Sequence, residues 1–180
     1  QRRQFGAREP RHVLERLEPG AFEWHAGFVD VPLPHPFHAF IDTLVGNGVT
    51  AGCTAVPPRY CPDSSVTRAQ MAAFLLVSSD GPGYSPPACT APAFNDVPCS
   101  NPFSKWVNEL ARRGITGGCG GGNFCPLSGV TRAQMSVFLL LAKEGSSYSP
   151  PACTTPMFGD VPCSNPFSTW VNELARRGVT

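Results

Sequence analysis

The chain has 180 residues, with 14 basic and 13 acidic side chains and a formal net charge of +1. So even a balance makes no electrostatic case for nucleic acid, and no apolar run approaches membrane-spanning length. The unusual numbers are eight cysteines, 20 prolines and 18 glycines, which point to a loop-rich chain held by covalent links.

Residues 1–27 come first, an N-terminal segment that opens at Gln1 without a methionine. "QRRQF" stands as far before Asp30 as "TRAQM" stands before Asp96, so the segment is a candidate degenerate second helix of another repeat, although Pro10 would interrupt it. The repeat itself is plain. FVDVP at Phe28–Pro32 returns as FNDVP at Phe94–Pro98 and as FGDVP at Phe158–Pro162. VTRAQMAAFLL at Val66–Leu76 returns as VTRAQMSVFLL at Val130–Leu140. Between the two motifs an apolar run ends in Gly-Val-Thr or Gly-Ile-Thr. The chain thus divides into a first repeat at 28–77, a linker at 78–93, a second repeat at 94–142, a linker at 143–157 and the first half of a third repeat at 158–180. Stopping in mid-repeat is what a fragment or a processed piece would do.

Each repeat reads as two helices joined by a loop. In NPFSKWVNELARRGIT, Asn101 suits an N-cap and Pro102 the first helical position. Phe103, Trp106, Val107 and Leu110 share one face, Arg112 and Arg113 favour the last turn, and Gly114 suits the left-handed residue after it, with Ile115 packing back. The second helix opens with a capping box, Thr67 with Gln70 and Thr131 with Gln134. Val66 with Met71, and Val130 with Met135, are placed for a hydrophobic staple. MAAFLL and MSVFLLL are apolar on almost every side, so the second helix is expected to be the more buried. Capping explains threonine and glutamine but not Arg68 and Arg132.

Cys53 and Cys61 bracket the loop of the first repeat, and Cys119 and Cys125 that of the second. Cys89 and Cys99 precede the first helix of the second repeat, as Cys153 and Cys163 do in the third. The first repeat has Glu23 and Leu33 at those last two positions. Because both members of the pair are missing together, the pairings expected are 53–61, 89–99, 119–125 and 153–163. Zinc is the competing explanation. It is disfavoured because no C-x2-C pair occurs and His12, His25, His35 and His38 lie away from most cysteines. No metal and no cofactor are expected. Disulfides imply an oxidising location: secreted, cell-surface or periplasmic.

Other repeated or clustered residues suit plainer roles. Asp30, Asp96 and Asp160 suit loop or helix-terminal amides better than a ligand. Gly117–Cys125 is glycine-rich, yet no Lys-Ser/Thr follows, so turn geometry explains it better than a phosphate cradle. His35 and His38 sit near a helix start, as caps or surface groups. No nucleophile–base constellation recurs, so the chain is not expected to be an enzyme.

These motifs resemble the S-layer homology (SLH) family: Phe94, Asp96 and Val97, then Trp106, then GITGG at Gly114–Gly118, Phe124 and Pro126, and VTRAQM at Val130–Met135. The first repeat carries Phe40 for the tryptophan, with Tyr60 and Pro62, and the third carries Trp170. Gln70 and Gln134 stand where the family has an acid, and the loop cysteines depart from its common form. The resemblance implies a mainly α fold of tandem helix–loop–helix units in pseudo-threefold packing. It also implies non-covalent anchoring to cell-wall or surface polysaccharide, with Arg68, Arg132, Trp106 and Trp170 at the glycan. An arginine fork suits a carboxylate or pyruvyl ketal, although both tryptophans also suit the core.

The function expected is a non-catalytic module of the extracellular surface or cell envelope. One alternative is a subunit of an extracellular filament or lattice assembling through repeat–repeat packing; another is the anchoring part of a larger secreted enzyme. The apolar face Phe167, Trp170, Val171 and Leu174 has no second helix after it in the sequence. It is expected to be covered by residues 1–20, with Phe5, Val13, Leu14 and Leu17 as mates, or by a neighbouring subunit.

Overall fold

The computed structural model describes residues 27–180. The order of elements is α1 (His38–Gly46), β1 (Thr54–Ala55), β2 (Pro58–Arg59), α2 (Arg68–Asp80), α3 (Ser104–Arg112), α4 (Arg132–Glu144) and α5 (Ser168–Arg176). The molecule is mainly helical, and the one sheet among the described residues is the β1–β2 hairpin in the longer loop of the first repeat. The mates proposed in residues 1–20 lie outside the described residues.

Local chemistry sets the helix ends. Thr67 and Thr131 each accept the amide three residues on, while Gln70 and Gln134 accept the threonine amides in return. The shorter helices end alike. At α3, Gly114 takes φ +67°, its amide reaches Ala111 O, and Ile115 N reaches Leu110 O at 3.0 Å. The same pair of bonds closes α1 at Gly48 and Val49 and α5 at Gly178 and Val179. The left-handed turn folds the next apolar side chain back on the helix, and Ile115 is buried.

One expectation fails at the opposite end. Asn101 does not cap α3, which begins at Ser104 after Phe103 and has no side-chain cap. Asn101 Oδ1 accepts Phe103 N at 2.9 Å and its carbonyl accepts Ser104 N, so Asn-Pro-Phe forms a turn leading into the helix. A short side chain bonding its neighbouring backbone favours such a turn over helix.

The helices do not pair within a repeat. α3 packs on α2, α5 packs on α4, and α2 meets α4. The first helices α3 and α5 therefore each rest on the second helix of the preceding repeat. Part of the cover expected for Phe167, Trp170, Val171 and Leu174 comes from α4, which precedes α5 in the chain: Leu174 is buried, while Phe167, Trp170 and Val171 are half-buried. The principal core joins Met71, Ala72, Leu75 and Leu76 of α2, Val107 and Leu110 of α3, and Phe138 of α4 to Phe94, Val97, Ile115 and Phe124. Burying such side chains stabilises by about 1.5–3 kcal/mol each. α1 packs on no other helix among the described residues; Ile41 joins Phe28 and Val31 in a small separate cluster. Its outward side leaves Phe37 59% and Phe40 70% exposed.

Burial of the second helices is uneven. α2 buries Ala69, Met71, Ala72, Leu75 and Leu76, as expected, but α4 buries only Ser136, Phe138 and Leu140. The difference is physical: the Phe124–Pro126 loop lies over the start of α2, and no described segment lies over the start of α4.

Candidate functional site

The seam between repeats is built around Arg68. Its side chain is 5% exposed, its Nε donates to Phe124 O at 2.7 Å, and its guanidinium lies 4.8 Å from the Phe124 ring and 5.4 Å from the Phe138 ring. Arg68 N donates to Ser128 O and Ala69 N to Pro126 O, so the loop of the second repeat satisfies amides that every helix start leaves open. Asp96 fixes the other side of that loop. Its two carboxylate oxygens accept Phe124 N at 2.8 Å and Cys125 N at 2.7 Å. Cys125 has φ +59°, a left-handed conformation that turns two successive amides toward one carboxylate. Burial alone would raise the Asp96 pKa, but those amides and the Arg68 charge hold it below the ordinary carboxylate value. Arg68 is pulled below the usual arginine value by burial, against the attraction of Asp96.

The first repeat uses the same device. Asp30 accepts Tyr60 N and Cys61 N at 2.9 and 2.8 Å, Cys61 has φ +61°, and the Tyr60 ring packs on Phe28. Asp30 and Asp96 therefore have the loop-amide role weighed for them. Glycine follows the same geometry: Gly118 has φ +86°, and a Cβ there would lie 2.3 Å from Asn123 O.

A second device latches α3 to the end of α2. Arg113 binds Asp80 at 2.7 Å and Glu109 at 2.8 Å, and its Nη2 donates to Tyr84 Oη. Arg112 donates to both Glu109 oxygens. Arg177 joins Glu144, Glu173 and Tyr148 in the same way at α5. Its only traces in the sequence are the repeated ELARRG and a tyrosine at a fixed place in each linker. In the first repeat Thr43 and Asn47 stand where the second has Glu109 and Arg113.

The Arg112 hydrogen bond, with help from Arg113 and Tyr84, lowers the Glu109 pKa from 4.5 to about 2. The folded carboxyl thus holds its proton less tightly than the unfolded one. Its stabilisation is complete above about pH 4.5 and is lost as pH falls through about 2. Glu109→Gln is expected to cost about 1.5–3 kcal/mol at pH 6. Thermal melts of both proteins should converge as pH drops from 5 to 2, and a constant difference would refute the assignment.

All four expected disulfides are present: Cys53–Cys61, Cys89–Cys99, Cys119–Cys125 and Cys153–Cys163. With every cysteine paired, no thiolate is left for zinc. Asn108 ties the linker to α3, donating to Cys89 Sγ and Ala91 O and accepting Ala93 N; Asn172 repeats this at Cys153, Thr155 and Met157.

The stretch holding Asp96, α3, the disulfide loop and the start of α4 matches a known family model over residues 93–136, that of the S-layer homology domain. Over those residues the chain is similar to the S-layer homology domain. A comparison with curated proteins finds no match.

The four residues expected at a glycan do not gather at one site. Arg68 is enclosed by the Phe124 loop. Trp106 is half-buried and meets Tyr84 edge-on at 6.3 Å, and Trp170 meets Tyr148 in the same way. Arg132 is exposed, its Nη2 3.3 Å from Thr180 Oγ1. It lines a groove of about 880 Å³ with Asp160, Phe158, Val161, Val171 and Leu174, and neither tryptophan reaches that groove. His35 accepts Phe37 N, and His38 lies near Val31 O and Asp42.

Proposed function

We propose that the chain is a non-catalytic extracellular module that anchors its protein to cell-wall polysaccharide through tandem SLH units arranged about a pseudo-threefold axis. The observation that carries this reading is the SLH match over residues 93–136, which takes in the F-x-D-V opening, the first helix and the T-R-A-Q start in family order. Four short-range disulfides fit an oxidising surface location. The interlocked order of α2 with α3, α4 with α5 and α2 with α4 suits a central cluster of second helices with first helices around it.

The test is sedimentation with purified cell wall, before and after its polysaccharide is stripped. The protein should pellet with intact wall and stay in solution with stripped wall. Failure to pellet with either, or equal pelleting with both, would sink the anchoring reading.

A second reading, a subunit of a surface lattice or filament, draws on the bare side of α1 at Phe37 and Phe40. Sedimentation velocity decides it: a mass that grows with concentration supports assembly, and a monomer throughout excludes it.

A further inference from the structure

The two linkers differ in kind from the rest of the surface. Residues 81–95 and 145–159 carry no charged side chain. Pro86, Pro150 and Phe94 are buried, and Tyr84 and Tyr148 are held in the latches, but most of both stretches faces water. Among the exposed side chains are Pro87, Ala88, Pro92, Pro151, Pro156 and Met157. The groups left to hydrate these strips are chiefly hydroxyls. Serine and threonine mixed with proline is the composition of O-glycosylated stalks.

Their backbone is nonetheless fixed. The disulfides Cys89–Cys99 and Cys153–Cys163 close them. Asn108 grips the first linker on both sides of Thr90, at Cys89 Sγ and at Ala91 O. Asn172 grips the second in the same way, at Cys153 Sγ and at Thr155 O. Thr90 and Thr154 therefore fall at the same point of the two clamps, with Thr155 beside the second, and all three are exposed. Most other threonine hydroxyls serve the fold: Thr67 and Thr131 cap helices, Thr43 and Thr54 reach carbonyls, and Thr50 and Thr116 receive glycine amides. Among the described residues no such bond is made by the hydroxyl of Thr90, Thr154 or Thr155. The fold holds these hydroxyls in place and does not use them.

We propose that Thr90, Thr154 and Thr155 are O-glycosylation sites, each carrying a neutral hexose or a short chain of hexoses. In the transfer, threonine Oγ1 attacks the anomeric carbon of a glycosyl phosphate donor. The bond from that carbon to the phosphate oxygen breaks, the phosphate leaves with the electron pair, and the hydroxyl proton passes to a base of the transferase. Phosphate is the other group a hydroxyl commonly takes, and it calls for basic partners. Neither linker has a lysine or arginine between 81 and 95 or between 145 and 159, and Arg113 and Arg177 are committed to the latches. A neutral sugar needs no counter-charge. It hydrates an uncharged strip and covers exposed loop backbone, the usual place of proteolytic nicking. The inference rests on the linkers alone and is independent of wall anchoring.

The test is mass spectrometry of the protein isolated from the cells that make it. Peptides holding Thr90 and Thr154–Thr155 should be heavier than their sequences by whole hexoses, and electron-transfer fragmentation should place the added mass on those threonines. The triple variant Thr90→Val, Thr154→Val, Thr155→Val, made in the same cells, should lose the added mass. Without sugar, wild type and triple variant should melt at the same temperature, because the three hydroxyls bond nothing in the fold. Both peptides at bare sequence mass, phosphate in place of hexose, or added mass that survives in the triple variant would each overturn the proposal. So would sugar placed equally on Ser64 and Ser65, which are exposed outside the linkers. A melt lowered by the valines would show that the hydroxyls serve the fold, which also contradicts it.

Discussion

Replacing Phe124 with alanine is expected to destabilise the fold by about 3–5 kcal/mol, the range for removing a fully buried phenylalanine. Its ring is 0% exposed and packs 5.4 Å from Phe94, beneath the Arg68 guanidinium. The loss has three sources: the ring's own burial, the cavity left against Phe94, and the exposure of a charge that the ring had covered. Because the ring touches residues of both repeats, the two should loosen together. Urea unfolding would therefore remain one transition with a lower midpoint and an unchanged slope. A loss below about 1 kcal/mol would show that the site collapses freely, contrary to the packing described.

Reduction of the disulfides is expected to have the larger effect. Each closes a short loop, with sequence separations of 8, 10, 6 and 10 residues. In the chain-entropy account each contributes about 2–3 kcal/mol. Four together approach the whole stability of an ordinary domain, about 5–15 kcal/mol. Cys119–Cys125 also holds the positive-φ turn that aims two amides at Asp96. With reductant the chain should lose most of its cooperative melt, followed by circular dichroism. Serine pairs at Cys119 and Cys125 should cost more than those at Cys89 and Cys99, which hold a linker. An unaltered melt under full reduction would contradict both statements.

Much of the fold could be read in the sequence because its signals are local. The capping boxes at Thr67 and Thr131 need only four consecutive residues, and Gly114 with Ile115 announces the end of α3 within two. The disulfides were legible because a whole pair was missing from the first repeat. Helix partners were not legible. Phe103, Trp106, Val107 and Leu110 mark an apolar face, but periodicity says nothing about which helix covers it, and adjacency in sequence suggested the wrong neighbour. Asn101 was misread because Asn-Pro suits both a helix cap and the turn before a helix. Arg68 was misread for a related reason. A repeated arginine beside a cap looks available for a ligand until a loop 56 residues later is found lying on it. The Glu109–Arg113–Asp80 latch joins residues from two helices, so no single stretch could reveal it.

The assignment of Arg68 to the seam between repeats, and not to a glycan surface, is tested most directly by a double-mutant cycle with Arg68→Met, Phe124→Leu and the pair. Unfolding free energies of the four proteins give the coupling. Residues in such contact should couple by about 0.5–3 kcal/mol. Losses that add to within about 0.3 kcal/mol would mean that Arg68 and Phe124 do not meet in solution, and the seam would be wrong.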